Sequence, residues 1–266
     1  MKVGISQLIL PNLPMEAFLD QAAAAGYECV ELCLKRAGEL TPETDAAGLA
    51  RIVALARARR LDIVSMTHSH CTGNLLESGE AARRSIEETI AGLRVAAALG
   101  ARCTLHTLGR PGPDLYYDDA YRNGVAALRE IARTAAELDV AVAVEFVWNG
   151  FLFSPLEMDR FLGECGSRHI AFYFDPGNMA VFHYPHHWAR ILGKRIRMMH
   201  AKDWTGSALK EGGWPALLKG SGCVDWPAIL RELRAAGYDD ALISEVPPAV
   251  APIEETARSI RKILAM

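Results

Sequence analysis

The sequence predicts an α/β protein folded as a single (β/α)8 barrel. Three observations carry that prediction. Short apolar runs alternate with amphipathic stretches along the chain, the pattern of parallel βαβ units. The alternation repeats eight times, the number that closes a barrel. Several of the apolar runs end abruptly in an acid or a histidine, which puts polar chemistry at the carboxyl ends of the strands. The stretch IAFYFDPGN over 170–178 shows this most plainly. An apolar run ends in Asp175, and Pro176-Gly177 turns the chain at once. An open doubly wound sheet would carry a Gly-rich fingerprint after its first strand. Here Gly4 is followed by Ile-Ser-Gln-Leu. The 266 residues fit one TIM barrel domain over 1–266, with no linker, repeat or low-complexity tract.

The elements follow in order. Residues 3–9 are the first strand and 15–25 the first helix, with Pro14 near its start and Gly26 as its stop. Residues 29–34 are strand two, with Glu31 inside it. Residues 46–60 are helix two, and 63–67 strand three, ending in His68-Ser69-His70. Helix three spans 80–99, ended by Gly100, and strand four, 103–105, closes at His106. The run GRPGPD over 109–114 is too rich in Gly and Pro to be regular. Helix four is 118–138 and strand five 141–146. Ser154 caps helix five and Pro155 opens it, through 164. Strand six is the stretch before Asp175. A short helix follows at 186–192, then strand seven at 196–201. Residues 204–225 form a long segment with five glycines, expected to be a loop over the site. Helix seven at 227–236, strand eight at 241–245 and a last helix at 253–264 complete the chain.

Composition narrows the function. Half of the residues are apolar and 23% charged, as in ordinary globular proteins. A net charge of -3 argues against a nucleic-acid partner, since phosphate binding needs a basic face. The basic run 57–60 alternates with alanine at helical spacing and reads as a solvated face. No long apolar span or signal-like segment is present, so a cytoplasmic protein without membrane insertion is expected. The six cysteines form no CxxC pair and are expected to be reduced.

Four strand ends carry the candidate chemistry: Glu145, Asp175, His200 and Glu245. They lie 30, 25 and 45 residues apart, and the last gap contains the long loop. All four therefore fall at one level of the barrel. Three carboxylates and one imidazole suit a hard or borderline divalent ion, with Mn²⁺ expected ahead of Mg²⁺, Co²⁺ or Zn²⁺. Such an ion would polarise a carbonyl and acidify the neighbouring C–H, and a glutamate would take that proton. Glu145 and Glu245 are the candidate acid/base pair. His68, His70 and His106 end strands three and four. They read either as ligands for substrate hydroxyls or a second metal, or as hydrogen-bonded histidines without a chemical role. Glu31 reads equally as a substrate contact or a buried structural acid. Lys202 is a candidate anchor for a substrate oxygen and Asp203 for orienting a ligand, against a plain salt-bridged pair. Trp148, Trp204 and Trp214 read as walls for a sugar or as loop packing. His183, His186 and His187 read as a solvated helix start.

At these residues the sequence resembles the xylose isomerase-like barrel superfamily, specifically its sugar phosphate isomerase/epimerase group. The carriers are Glu145 in VEF, Asp175 and Asn178 in FDPGN, and His200, Lys202 and Asp203 in HAKD. Gly220, Gly222, Val224 and Asp225 in GSGCVDW and Glu245 in SEV complete them. The resemblance covers essentially the whole chain. It implies a metal held by Glu145, Asp175, His200 and Glu245, with the two glutamates also serving as acid and base on opposite faces of a substrate. It implies a keto-sugar or polyol substrate bound with help from His68, His106, Asn178 and Lys202, and a dimer or tetramer. Ketose 3-epimerases of the group usually carry histidine where this chain has Asn178. Endonuclease IV, a more distant relative, needs a trinuclear zinc site, and the 204–225 segment has no histidine to supply it. The HAKD motif resembles that of inosose dehydratases, so water elimination stands as the alternative to isomerisation or epimerisation. A sugar-binding barrel without turnover is the reading from a different class.

Overall fold

The computed structural model describes residues 1–68, 71–206 and 212–266. His70 and part of the long mouth loop lie outside the described residues. Eight parallel strands close into a barrel in sequence order: β1 (Lys2–Ser6), β2 (Cys29–Cys33), β3 (Asp62–Thr67), β4 (Cys103–His106), β5 (Ala141–Glu145), β6 (Ile170–Phe174), β7 (Ile196–Ala201) and β8 (Ala241–Ser244). β1 pairs with both β2 and β8, which seals the ring. After α1 (Met15–Ala24) and α2 (Ala46–Ala58), the helices that matter for the site are α3 (Gly79–Leu99), α4 (Tyr117–Leu138), α5 (Pro155–Glu164), α6 (Pro176–Ala180), α7 (Pro185–Leu192) and α8 (Trp226–Ala236). The last helix, Ile253–Leu264, shows the general packing rule. It buries Ile253, Ala257, Ile260 and Ile263, one stripe at helical spacing.

Alternation along each strand divides the core in two. Cys29, Val64, Cys103, Leu105, Ala141, Ala143, Ala171, Tyr173, Met198, Ala241 and Ile243 form the inner cluster of the barrel. In β3 a register shift breaks the alternation, so Ser65 joins Val64 inside and His68 falls outside. Val142, Val144, Phe172, Phe174, Met199 and Leu242 face outward and join the larger sheet–helix core. The inner residues are mostly small because the barrel is narrow. At Gly4 an added Cβ would come within 2.9 Å of both Cys29 Sγ and Ile243 Cγ1.

Most boundaries shift from expectation by a residue or two, and two places differ more, each for a local reason. The first strand stops at Ser6, not Ile9. Ser6 Oγ accepts the Leu8 N–H at 3.2 Å and turns Gln7–Ile9 into a short 3-10 helix. Instead of a plain turn after β6, Pro176–Ala180 form α6. Asp175 caps it by accepting the Asn178 N–H at 3.0 Å, and Pro176 opens it. The Ser154 cap follows the sequence, accepting the Glu157 N–H, and the structure adds Asp225 as a cap of α8, accepting the Ala228 N–H.

Candidate metal centre

Parity decides which strand-end residues meet. Glu145 lies two residues beyond Ala143, His200 two beyond Met198, Glu245 two beyond Ile243 and Asp175 two beyond Tyr173. All four therefore project into the barrel at its carboxyl end. Ligand atoms of Glu145, Asp175 and His200 lie within 4.8 Å of one another, and all three residues are buried. His200 Nδ1 faces Glu145 Oε1 at 3.4 Å, Glu245 Oε2 at 3.6 Å and Asp175 Oδ2 at 3.8 Å.

The other nitrogen of His200 is fixed from below. Nε2 meets Glu31 Oε1 at 3.0 Å. Glu31 also accepts from Ser6 Oγ at 2.8 Å, Ser65 Oγ at 2.7 Å and Tyr173 OH at 2.6 Å. A carboxylate bonded in this way holds an imidazole N–H on Nε2 and turns Nδ1 toward the site. Burial opposes the imidazolium, but Glu245, Glu31, Asp175 and Glu145 outweigh it and raise the His200 pKa well above its ordinary value. Without an ion, Nδ1 therefore carries a proton too. Nδ1 is buried and has no hydrogen-bond partner. A divalent ion would take the place of that proton among three carboxylates, so the donor set fits one. Glu31 is thus a buried acid beneath the site and not a substrate contact. The sequence signal was an acid inside CVELC with the parity of Cys29. Tyr173 likewise shares the parity of Asp175. What the sequence lacked was the pairing across the barrel. The strand register shifts at both places, between Val30 and Glu31 and between Phe172 and Tyr173.

Electrostatics follow from burial. Burial pushes Glu145 up to about 7, with His200 pulling against it. Burial also works against ionised Asp175, but Lys202 and His200 outweigh it and hold that carboxyl below its usual range. Lys202 Nζ bonds to Asp175 Oδ2 at 3.0 Å, Asn178 Oδ1 at 3.3 Å and Glu245 Oε2. Burial opposes its charge, and the carboxylates Asp175, Glu245 and Glu145 overcome it and raise its pKa. Gly177 makes room for this lysine, because a Cβ there would sit 2.7 Å from Lys202 Cγ. Asn178 joins the pair: its Nδ2 donates to Glu145 Oε1 at 3.3 Å.

Asp203 bonds to the mouth loop. It is buried, and its Oδ1 accepts the N–H groups of Trp204 at 2.8 Å and Val224 at 3.1 Å, so it ties the two ends of the mouth loop together. Trp148 stacks on Trp214 with centroids 5.2 Å apart, and Trp204 packs edge-on to both. The Lys202 ammonium lies 4.7 Å from the centre of the Trp214 ring. These three indoles form one wall beside the carboxylates.

His68 and His106 are placed elsewhere. Leu105 faces inward, so His106 faces out toward α3. Thr89 Oγ1 on α3 donates to Ser85 O at 2.7 Å, so it accepts from His106 Nε2 at 3.3 Å. His106 Nδ1 accepts the Leu108 N–H at 2.8 Å. His68 packs edge-on to His106 with centroids 5.1 Å apart, and a Cβ on Gly92 of α3 would lie 2.5 Å from its Nδ1. Both are buried behind the barrel wall, against α3 and not in the acidic cluster. Burial pushes His106 down to about 4 and His68 well below its ordinary value, so both are neutral. His183 and His186 line a separate cavity with Cys223, outside the acidic cluster.

A sequence model described as a xylose isomerase-like TIM barrel matches residues 19–263. The chain belongs to that family. No curated protein matches it significantly in sequence. Solved structures of the same fold include a D-tagatose 3-epimerase-like protein, with TM-score 0.82, 18% identity, and 100% of this chain and 97% of that one covered. Another is an IOLI protein with a bound zinc atom, with TM-score 0.79, 16% identity and coverage of 100% and 97%. A third is 3-keto-D-glucoside 4-epimerase from E. coli, with TM-score 0.79, 14% identity and both chains fully covered. At these identities the likeness is one of fold.

Proposed function

We propose that this member of the family is a divalent-metal-dependent sugar isomerase or epimerase acting on a keto-sugar or related polyol. One observation carries the reading: the unpartnered, buried Nδ1 of His200 facing Glu145, Asp175 and Glu245. Those four residues would hold the ion, with Mn²⁺ favoured by the oxygen-rich donor set. The bound ion would polarise a substrate carbonyl and lower the pKa of the adjacent C–H. The rest is done by the chain. Glu145 and Glu245 sit at the ends of β5 and β8, with the strands bearing Asp175 and His200 between them. They can reach a substrate carbon from different sides, one taking a proton and the other returning one. Asn178 holds Glu145 and Lys202 holds Glu245, so each carboxylate is oriented. The wall of Trp148, Trp204 and Trp214 offers a dry face to the C–H side of a sugar and excludes water.

The Lys202 ammonium beside Glu245 favours one second reading, elimination of water, in which Glu145 takes the α-proton and Lys202 protonates the departing β-hydroxyl. A homo-oligomer is part of the same proposal. Tyr116 and Leu156 are large apolar side chains left 71% and 70% exposed, and Phe153 is half exposed, which supports a second copy covering them. A sedimentation mass of one chain would count against it. Among the described residues no helix is long and apolar enough to cross a membrane. The reaction is tested by screening keto-sugars in D₂O with metal-loaded protein. Deuterium entering a carbon next to the carbonyl supports proton abstraction, and a water-loss product selects elimination. No exchange into any keto-sugar by protein shown to hold metal would count against the proposal.

A further inference from the structure

A cavity of about 540 Å³ lies at the opposite end of the barrel, below the starts of β6 and β7. α5, α7 and α8 enclose it. Five cationic side chains reach its wall: Arg168, Arg190, Lys194, Arg195 and Arg197. Only two carboxylates do, Asp159 and Glu232. Both are already engaged, Asp159 with Arg195 at 2.6 Å and Glu232 with Arg231 at 3.3 Å. Arg168 has a distant pairing with Asp139 at 3.9 Å. Among the described residues Arg190 and Lys194 meet no carboxylate, and Arg197 reaches only the carbonyls of Lys194 and Ile196, at 3.3 Å each.

This is a local reversal of sign in a chain of net charge -3. The dipole at the end of α7 accounts for Arg190, which sits in its last turn. It does not account for Arg168 or Arg197, which stand on either side of β6 and also line a second, adjoining cavity. We propose that the larger cavity binds a small, multiply charged anion of the phosphate class, at a site separate from the mouth. The volume is that of a metabolite pocket. Arginine forks match phosphate oxygens in pairs. A nucleic acid would need a long basic stripe on a basic chain, whereas this is one concavity on an acidic chain.

The test is calorimetric titration of the full chain, dialysed free of divalent ions so that the probe chelates none. The probes are inorganic pyrophosphate and, separately, ADP. Saturable binding of one equivalent is expected, weakening as salt is raised. Tighter ADP binding assigns the site to an organic phosphate, and equal or weaker ADP binding to an inorganic one. The combined variant Arg190→Ser, Lys194→Ser, Arg197→Ser should bind at least about 10-fold more weakly. The single variant Arg197→Ser should bind at least about 3-fold more weakly. All three side chains are exposed, so the melting temperature should stay near that of wild type. Arg84→Ser, an exposed arginine on α3, should bind as wild type does. No saturable binding, or affinity in the combined variant within about 2-fold of wild type, would overturn the proposal.

Discussion

The strand ends on two sides of this barrel use polar residues to opposite effect. At β5 to β8, Glu145, Asp175, His200 and Glu245 fall on the inner face and converge. At β3 and β4, His68 and His106 fall on the outer face and are sealed against α3 by Gly92 and Thr89. Both groups stand at the carboxyl ends of their strands; the side of the wall differs. A polar residue at a strand end is therefore a candidate for chemistry only when its parity points inward.

Predictions that test this contrast run from the largest effect to the smallest. Glu145→Gln and Glu245→Gln keep the shape and lose the basic carboxylate. Each should lower turnover by about 10²-fold or more, measured with metal content beside the rate. Retention of wild-type turnover in both metal-loaded variants would remove the inner glutamates from proton transfer.

Glu31→Gln removes the anion that fixes the Nε2–H tautomer of His200. Metal affinity should fall about 10- to 100-fold by calorimetry. An unchanged affinity would mean that Nδ1 needs no help from below.

His106→Leu tests the outer pair through stability. Its folded pKa of about 4 is depressed from an ordinary value of about 6.5. The unfolded chain then binds the proton first as pH falls. The stabilising difference is complete above about pH 6.5 and is lost on the way down to about pH 4, which amounts to about 2 kcal/mol between pH 7 and pH 5. Denaturant unfolding at the two pH values should show that much less pH dependence in the variant. Equal pH dependence in both proteins would contradict a buried neutral His106.

Much of this was legible in the sequence. Eight apolar runs, the cap at Ser154 and the left-handed stop at Gly100 are local features, and local features survive folding. The level of Glu145, Asp175, His200 and Glu245 was legible because each ends a run. The face was not. Strands of a parallel barrel are apolar on both sides, so alternation does not advertise itself in LH or MTH as it would in a half-exposed sheet. Glu31 was visible as an oddity in CVELC, but its meeting with His200 and Tyr173 joins residues 142 and 169 positions apart. Lys202 and Asp203 are adjacent in sequence, with a plain salt-bridged pair as the alternative to chemical roles. Instead the two diverge, Lys202 to the inner carboxylates and Asp203 to the loop backbone.

The central claim is that the inner strand ends, and not the outer pair, hold a divalent ion. It is tested most directly by titrating Mn²⁺ into three proteins by calorimetry: wild type, His200→Ala, and His68→Leu with His106→Leu. Wild type and the outer double variant should each bind one ion per chain with similar affinity, while His200→Ala should lose most of its affinity and keep its circular dichroism spectrum. Wild-type metal binding by His200→Ala, or its loss in a folded outer variant, would contradict the account.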